Sequence, residues 1–387
     1  MSRFLVITKG YFGLTAPNSI CLKDIVKIWK DKNIDVDIIS VENQMVTSNE
    51  ICTCVHSSTL EGKFRKIKKV FTYPIDDTML IKKLVLEIEK KVAIIKYDLV
   101  IAIVNPPESA SALKIIKEKY PQIKCCLYEM DAISNRYKFQ KTIFEKIATI
   151  LGIKWAKSIY AEMDYIIHMK SHRSHFEKKE FSNYATKTIY LDIPALKVDY
   201  WNKPVDEKNI TLLYAGAFYK GLRDPERVIK ILLRLSELRN ISINMYINAA
   251  MIEDVKMFSK ENKSVKVSNY IPEKELQEKI LDTTCLLSVG NKESDFLPSK
   301  VLAYMGTGKP IIHFYFDEYD VALSYLKKYK NALCLRINDS IEKNVDRIIY
   351  FFENEMNRNV LGRNELLQCF VENTPTFNAN RIIQLIE

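Results

Sequence analysis

Glycine and proline are scarce, at 10 and 12 among 387 residues, which leaves little material for long low-complexity or disordered tracts. No segment repeats at a fixed period. Eight cysteines are present (Cys21, Cys52, Cys54, Cys125, Cys126, Cys285, Cys334 and Cys369), yet none forms Cys-x-x-Cys, and most lie in apolar runs such as IKCCLY and TTCLLSV. That setting points to buried reduced thiols and so to a reducing compartment. The apolar run in the opening MSRFLVITKGYFG is too short for a signal peptide, and no run approaches the roughly 18 residues of a spanning helix. A cytoplasmic protein without a transmembrane helix is expected. Walker, Gly-x-Ser-x-Gly and His-Glu-x-x-His patterns are also missing.

What is present is ordinary globular material, 47% hydrophobic and 27% charged, in a chain long enough for two cores. The net charge of +10 is uneven. Residues 1–200 carry 32 Lys and Arg against 23 Asp and Glu, whereas residues 201–387 carry 26 against 25. The first half therefore faces something anionic, either nucleic acid or a bilayer surface. No stacking platform or known binding module favours nucleic acid.

Short apolar runs alternate with helix-periodic segments. RFLVITKG, DVDIISV, YDLVIAIV, IKCCLYEM and MDYIIHMK read as buried strands. Residues 193–209, IPALKVDYWNKPVDEKN, are polar and aperiodic and read as a linker. The alternation then restarts with ITLLYAGAF, ISINMYIN, VKVSNYI, TTCLLSVG, PIIHFYF and ALCLRI. The expected class is α/β: two Rossmann-like, doubly wound parallel domains facing a cleft, with ligands outside the carboxyl ends of the strands. The expected boundaries are 1–195, 205–370 and a last helix at 371–387.

Two turns of the second half carry the chemistry. In YAGAFYKGLRDPERVI, Gly216 ends a strand and permits close backbone approach. Lys220 and Arg223 then precede a helix opened by Pro225, an arrangement suited to a diphosphate and equally to a solvated, capped loop. In NKESDFLPSKVLAYMGTGKPII, Glu293 and Asp295 precede a helix begun at Pro298, with Ser299 and Lys300 in its first turn. A lysine there opposes the helix dipole, so a bound anion accounts for it. Gly306, Gly308 and Pro310 fit any strand–helix–strand unit.

Together these two stretches, about eighty residues apart, resemble the donor-binding half of GT-B glycosyltransferases, of the bacterial group-one type that builds capsule, exopolysaccharide or lipopolysaccharide. The resemblance implies a nucleotide-sugar donor, a lipid-linked or growing saccharide acceptor, and a last helix that returns to the first domain. It places Gly216 and Ala217 under the donor, Arg223 and Lys220 on its diphosphate, and Lys300, Pro298 and Ser299 on pyrophosphate or sugar. Relatives often carry two glutamates, where this chain has Asp295 and Ala303. Asp295 would contact sugar hydroxyls; Ala303 offers no carboxylate to a ribose, and Glu293 is the substitute at hand. In the first domain the resemblance sets Gly10, Tyr11 and Gly13 along the acceptor-side loop, and Asp131 and Glu129 as cleft-facing carboxylates. An inverting enzyme would use such a carboxylate as base. A retaining one, the commoner case among these relatives, would need none, leaving Asp131 to position substrate or to cap a helix. No cofactor or metal is implied.

Other signals are weaker. Asp35-Val-Asp37 reads as strand flank, and His168, His172 and His175 as a surface cluster rather than a metal site. Residues 138–160 put Phe139, Ile143, Ile147, Ile150 and Leu151 at helical spacing among five lysines, with Trp155 as an interfacial residue. That is either a helix lying on an anionic inner membrane surface or a core helix with solvated lysines. GKFRKIKKVFTYP (62–74) adds five cations. Beside the enzyme stand two other readings: a non-catalytic scaffold of a polysaccharide-assembly complex, suggested by Ala303, and a sugar-nucleotide epimerase.

Overall fold

The computed structural model describes residues 2–12, 17–42, 52–56, 72–135, 142–198, 210–259, 262–292, 297–358 and 360–387. Gly13, Glu293, Asp295, the segment 199–209 and most of the basic stretch at 62–71 and 138–141 lie outside them. The chain forms two compact units: Met1–Pro194 with Pro375–Glu387, and Ala195–Thr374.

The first unit holds β1 (Arg3–Lys9), β2 (Asp35–Glu42), β3 (Cys52–His56), β4 (Leu99–Ile103), β5 (Cys125–Glu129), β6 (Tyr165–Met169) and β7 (Thr188–Leu191) in the order β3-β2-β1-β4-β5-β6-β7. The second holds β8 (Ile210–Ala215), β9 (Ile241–Ile247), β10 (Val265–Asn269), β11 (Cys285–Val289), β12 (Ile311–Tyr315) and β13 (Ala332–Arg336) in the order β10-β9-β8-β11-β12-β13. The strand pairings in both sheets are parallel. Central strands such as β4 and β11 are buried along their whole length. Helices on both faces explain why they read as unbroken apolar runs.

Sequence reading found the interior strands and missed β3 and β7. Both sit at sheet edges and are short, and β7 (TIYL) is fully buried only at Leu191. An edge strand covered on one side has no continuous apolar signature. Local capping is conventional: Asp77 Oδ1 accepts from Met79 N at 2.9 Å and Leu80 N at 3.1 Å, opening the helix Thr78–Val92. A cap of this kind is worth about 1 kcal/mol.

The last helix, Pro375–Ile383, belongs to the first unit. Trp29 Nε1 donates to Ala379 O at 3.1 Å, and the Tyr128 hydroxyl to Asn378 Oδ1 at 3.2 Å. In the second unit, Leu196 N donates to Asn373 O at 2.9 Å, so the segments entering and leaving that unit are paired. Gly306 is required by this packing, because a Cβ there would lie 1.9 Å from Lys197 O.

The helix Ile143–Glu162 begins at a Thr142/Glu145 capping box. Its inward face is small: Ala148, Gly152 and Ala156 are buried. Its outward face is apolar, with Ile143, Phe144 and Ile150 exposed by 69%, 61% and 65% beside exposed Lys146, Lys154 and Lys157. Trp155 is not an interfacial residue, for its ring packs on the core and its Nε1 donates to Ser111 Oγ at 3.0 Å. Among the described residues no helix is long and apolar enough to cross a membrane.

The three histidines are not a surface cluster. His168, His172 and His175 are all buried, because the chain after β6 folds its short helical turns onto the sheet. His168 stacks on Phe176 with ring centroids 3.4 Å apart, and His175 Nε2 lies 2.9 Å from Ser134 Oγ. Burial and the nearby Lys178 charge push His175 down from 6.5 to about 4. The folded protein thus holds that proton more weakly than the unfolded chain does, and stability falls as pH drops from 6.5 towards 4. The loss reaches about 3 kcal/mol at pH 4. Melting curves between pH 7 and pH 4 should show a shallower loss in a His175→Gln variant, which keeps a partner for Ser134.

Candidate functional site

In the second unit the chemistry-bearing side chains collect at the carboxyl edge of the sheet. The loop after β8 is built on Tyr214. A Cβ at Gly216 would lie 2.8 Å from the Tyr214 hydroxyl, so glycine is needed for the loop to lie flat on that ring. The same hydroxyl donates to Ala217 O at 3.2 Å. The turn closes with Tyr219 N to Arg223 O at 3.1 Å and Arg223 N to Tyr219 O at 2.9 Å, with Gly221 at φ +81.

Arg223 is the best-held cation of the site. Its Nε and Nη2 donate to Asn291 Oδ1 at 3.1 and 2.8 Å, and its Nη1 to Ala217 O at 3.2 Å. No carboxylate among the described residues pairs with it. Lys220 is placed differently: its Nζ pairs with Asp254 Oδ2 at 3.0 Å, on an exposed flank.

The helix Ser299–Met305, N-capped by Pro298 without a side-chain hydrogen bond, is only seven residues long. Its dipole is correspondingly small, so anion affinity falls on the side chains. Tyr304 docks it against β8: Ala215 N donates to the Tyr304 hydroxyl oxygen at 3.1 Å. Lys300 Nζ stands 5.9 Å from the centroid of the half-exposed Tyr270 ring, beyond the end of β10. Packing around the ammonium, then the Arg223 charge, pushes Lys300 down to about 8, although the residue as a whole is exposed. Two like charges with no counter-ion among the described residues are an arrangement suited to a polyanion. Ala303 is exposed on the same helix and supplies no acid. Lys309, two residues beyond Thr307, is buried, donates to Thr283 O at 2.6 Å and takes no part in the site.

The first unit has its own edge cluster. Gly10 sits at φ +68 and donates to Val41 O at 3.0 Å; Tyr11 N donates to Ser40 Oγ at 3.0 Å. Asp131 is exposed, with Asn18 Nδ2 3.2 Å from its Oδ2. Glu129 does not face solvent beside it. Its carboxylate is buried, taking bonds from the Tyr160 hydroxyl and from Ile133 N at 3.0 Å, with His168 Nδ1 at 3.2 Å. Burial alone would raise its pKa, but the His168 bond and charge and the Tyr160 and Ile133 bonds outweigh it and hold Glu129 low. A carboxylate so engaged is structural. Among the described residues no group of three or more His, Cys, Asp or Glu is placed to hold a metal ion.

Sequence reading named Arg223 and Lys300 but not the groups that aim them. Asn291, Tyr270, Tyr214 and Tyr304 carried no motif, being a polar loop residue and tyrosines in apolar context.

No family model matches this chain, and neither does any curated protein. Solved structures do. Sucrose-phosphate synthase from Thermosynechococcus elongatus is 12% identical, with 100% of this chain and 98% of that one covered and a TM-score of 0.70. The lipopolysaccharide outer core galactosyltransferase WaaB is 13% identical, with 99% of each chain covered and a TM-score of 0.60. UDP-GlcNAc 2-epimerase from Methanocaldococcus jannaschii is 14% identical, with 99% of each covered and a TM-score of 0.60. At such identities the likeness shows the fold: two parallel-sheet α/β domains of the GT-B kind.

Lys300 gives the site a pH signature. Sulfate keeps its charge above neutral pH, so its affinity should fall as pH rises through about 8 and Lys300 becomes neutral. The loss should approach about tenfold by pH 9.5. A Lys300→Arg variant, charged throughout, should show a flat profile in the same thermal-shift titration.

Proposed function

We propose that this chain is a glycosyltransferase that moves a sugar from a nucleotide-sugar donor to a lipid-linked or growing saccharide in bacterial surface polysaccharide synthesis. The observation that carries the reading is the pair Arg223 and Lys300, uncompensated among the described residues and set at the carboxyl edge of a parallel sheet next to the Gly216 turn. As the bond from the anomeric carbon to the diphosphate breaks, charge develops on the leaving oxygens. Cations fixed beforehand stabilise that charge without reorganising. The fold supports the reading, since galactosyltransferase WaaB has it. The reaction proceeds with retention, the leaving phosphate guiding the acceptor proton. Glu129, already engaged with Tyr160 and His168, is left out of the chemistry.

The test is a thermal-shift panel of UDP, GDP, dTDP, CMP and their sugar forms, with and without magnesium. A ligand that binds only the folded state raises the melting temperature. One nucleoside diphosphate should stand out, and Arg223→Ala and Lys300→Ala should each weaken it by tenfold or so. A flat panel would favour a scaffold role, and full turnover in both variants would end the assignment of Arg223 and Lys300 to the donor. Conversion of a donor sugar without any acceptor would instead favour an epimerase, the activity named for the Methanocaldococcus neighbour.

The acceptor proposal includes a membrane. Exposed Ile143, Phe144 and Ile150 beside Lys146, Lys154 and Lys157 suit the surface of an anionic bilayer, with apolar side chains among acyl chains and ammonium groups on headgroups. Co-sedimentation should occur with phosphatidylglycerol vesicles and not with phosphatidylcholine alone. Phe144→Glu with Ile150→Glu should lower binding at least about tenfold and leave nucleotide-induced stabilisation unchanged.

A further inference from the structure

We infer that Asn291 is the positioning residue of the anion site: its amide oxygen fixes the Arg223 guanidinium in its gripping geometry while leaving the charge unspent. The inference rests on the diphosphate reading above and adds how that grip is made.

An arginine side chain left alone spreads over many rotamers, and ordering it on a ligand costs entropy. Here the ordering is done in advance. Asn291 Oδ1 takes bonds from Nε and Nη2, and Ala217 O takes one from Nη1. Arginine has five N–H groups; three serve these bonds and another is shared with the Tyr214 hydroxyl, which leaves a terminal N–H for a ligand. Arginine has only donors, which settles which way the Asn291 amide faces: its oxygen must point at Arg223. The choice of an amide matters. A carboxylate at 291 would hold Arg223 equally well, but it would also neutralise it and repel a diphosphate.

Asn291 is itself held from behind. Lys292 N donates to Leu222 O at 2.9 Å, stitching this loop to the one that carries Arg223. Gly290 N donates to Phe314 O at 2.8 Å, and a Cβ at Gly290 would lie 2.0 Å from Asp320 Oδ2. Asp320 is fixed in turn. Its Oδ1 accepts from Ala322 N at 2.9 Å, its Oδ2 lies 3.3 Å from His313 Nε2, and His313 Nδ1 lies 3.0 Å from Ser288 Oγ. These buried groups set the exit of β11, and the exit of β11 sets Asn291.

The experiment is a double-mutant cycle on the full chain, with inorganic pyrophosphate at pH 7.5 as the probe and dissociation constants from isothermal titration or thermal shift. Arg223→Ala should weaken binding by tenfold or more, and Asn291→Ala by about five- to tenfold. The double variant should bind no more weakly than Arg223→Ala, because a group acting only through Arg223 has nothing left to act on. Asn291→Asp keeps the acceptor and the fold, and should bind pyrophosphate more weakly than Asn291→Ala. A merely structural role would not produce that order. Melting temperatures of the unliganded variants separate folding defects from binding defects; if Asn291→Ala melts early, the comparison of Asn291→Asp with wild type decides. Wild-type affinity in Asn291→Ala and Asn291→Asp, or losses that multiply in the double variant, would overturn this inference alone. Wild-type affinity in Arg223→Ala would overturn the diphosphate reading and this inference with it.

Discussion

Both sheets are parallel, and that constraint organises the rest of the molecule. A parallel strand cannot turn back on its neighbour, so connections cross over, most of the described ones through a helix, and both faces of the sheet are covered. The strands then become apolar along their length, as β4 and β11 are. Loops leaving the carboxyl edge are the remaining place for polar groups that must meet a ligand. In the second unit this brings together side chains distant in sequence: Arg223 after β8, Tyr270 after β10, and Asn291 and Lys300 after β11. None of these is a motif by itself, and the site is a product of topology.

Among the described residues no carboxylate takes up the Arg223 charge, in contrast to Lys117, which pairs with Asp164 at 2.8 Å, and Arg3, which pairs with Asp35 at 2.7 Å. At Arg223 the partners are a carbonyl and an amide, which orient without neutralising. Lys300 is pushed down to about 8, first by the packing around its ammonium and then by the Arg223 charge. In the proposed function a bound dianion would offset both charges.

The interior strands were legible because short continuous apolar runs, bounded by turns and alternating with helix-periodic segments, form buried parallel strands. Arg223 and Lys300 were legible because core packing has no use for cations beside strand ends and glycines. Three things were not. The edge strands β3 and β7 are half covered and carry no distinctive period. Glu129 ends an apolar strand, and sequence does not tell whether such a carboxylate points at solvent or, as here, at Tyr160 and His168. The histidines after β6 lie in a polar stretch that reads as surface, and only the packing of Phe176 and Phe181 reveals their burial. Asn291 was invisible for a further reason: its role consists entirely of what it does to Arg223, a residue 68 positions away.

The pairing of Leu196 with Asn373 has a consequence for how the chain is made. The second unit is one continuous segment, Ala195–Thr374, closed at its ends, whereas the first is assembled from both termini. During synthesis from the amino end, the second unit can fold as soon as it leaves the ribosome. The first must wait. Its Trp29 indole and Tyr128 hydroxyl have their partners in Ala379 and Asn378, made 350 and 250 residues later. The surface that carries them stays uncovered until the helix Pro375–Ile383 has been made, and that helix acts as the latch that completes the unit.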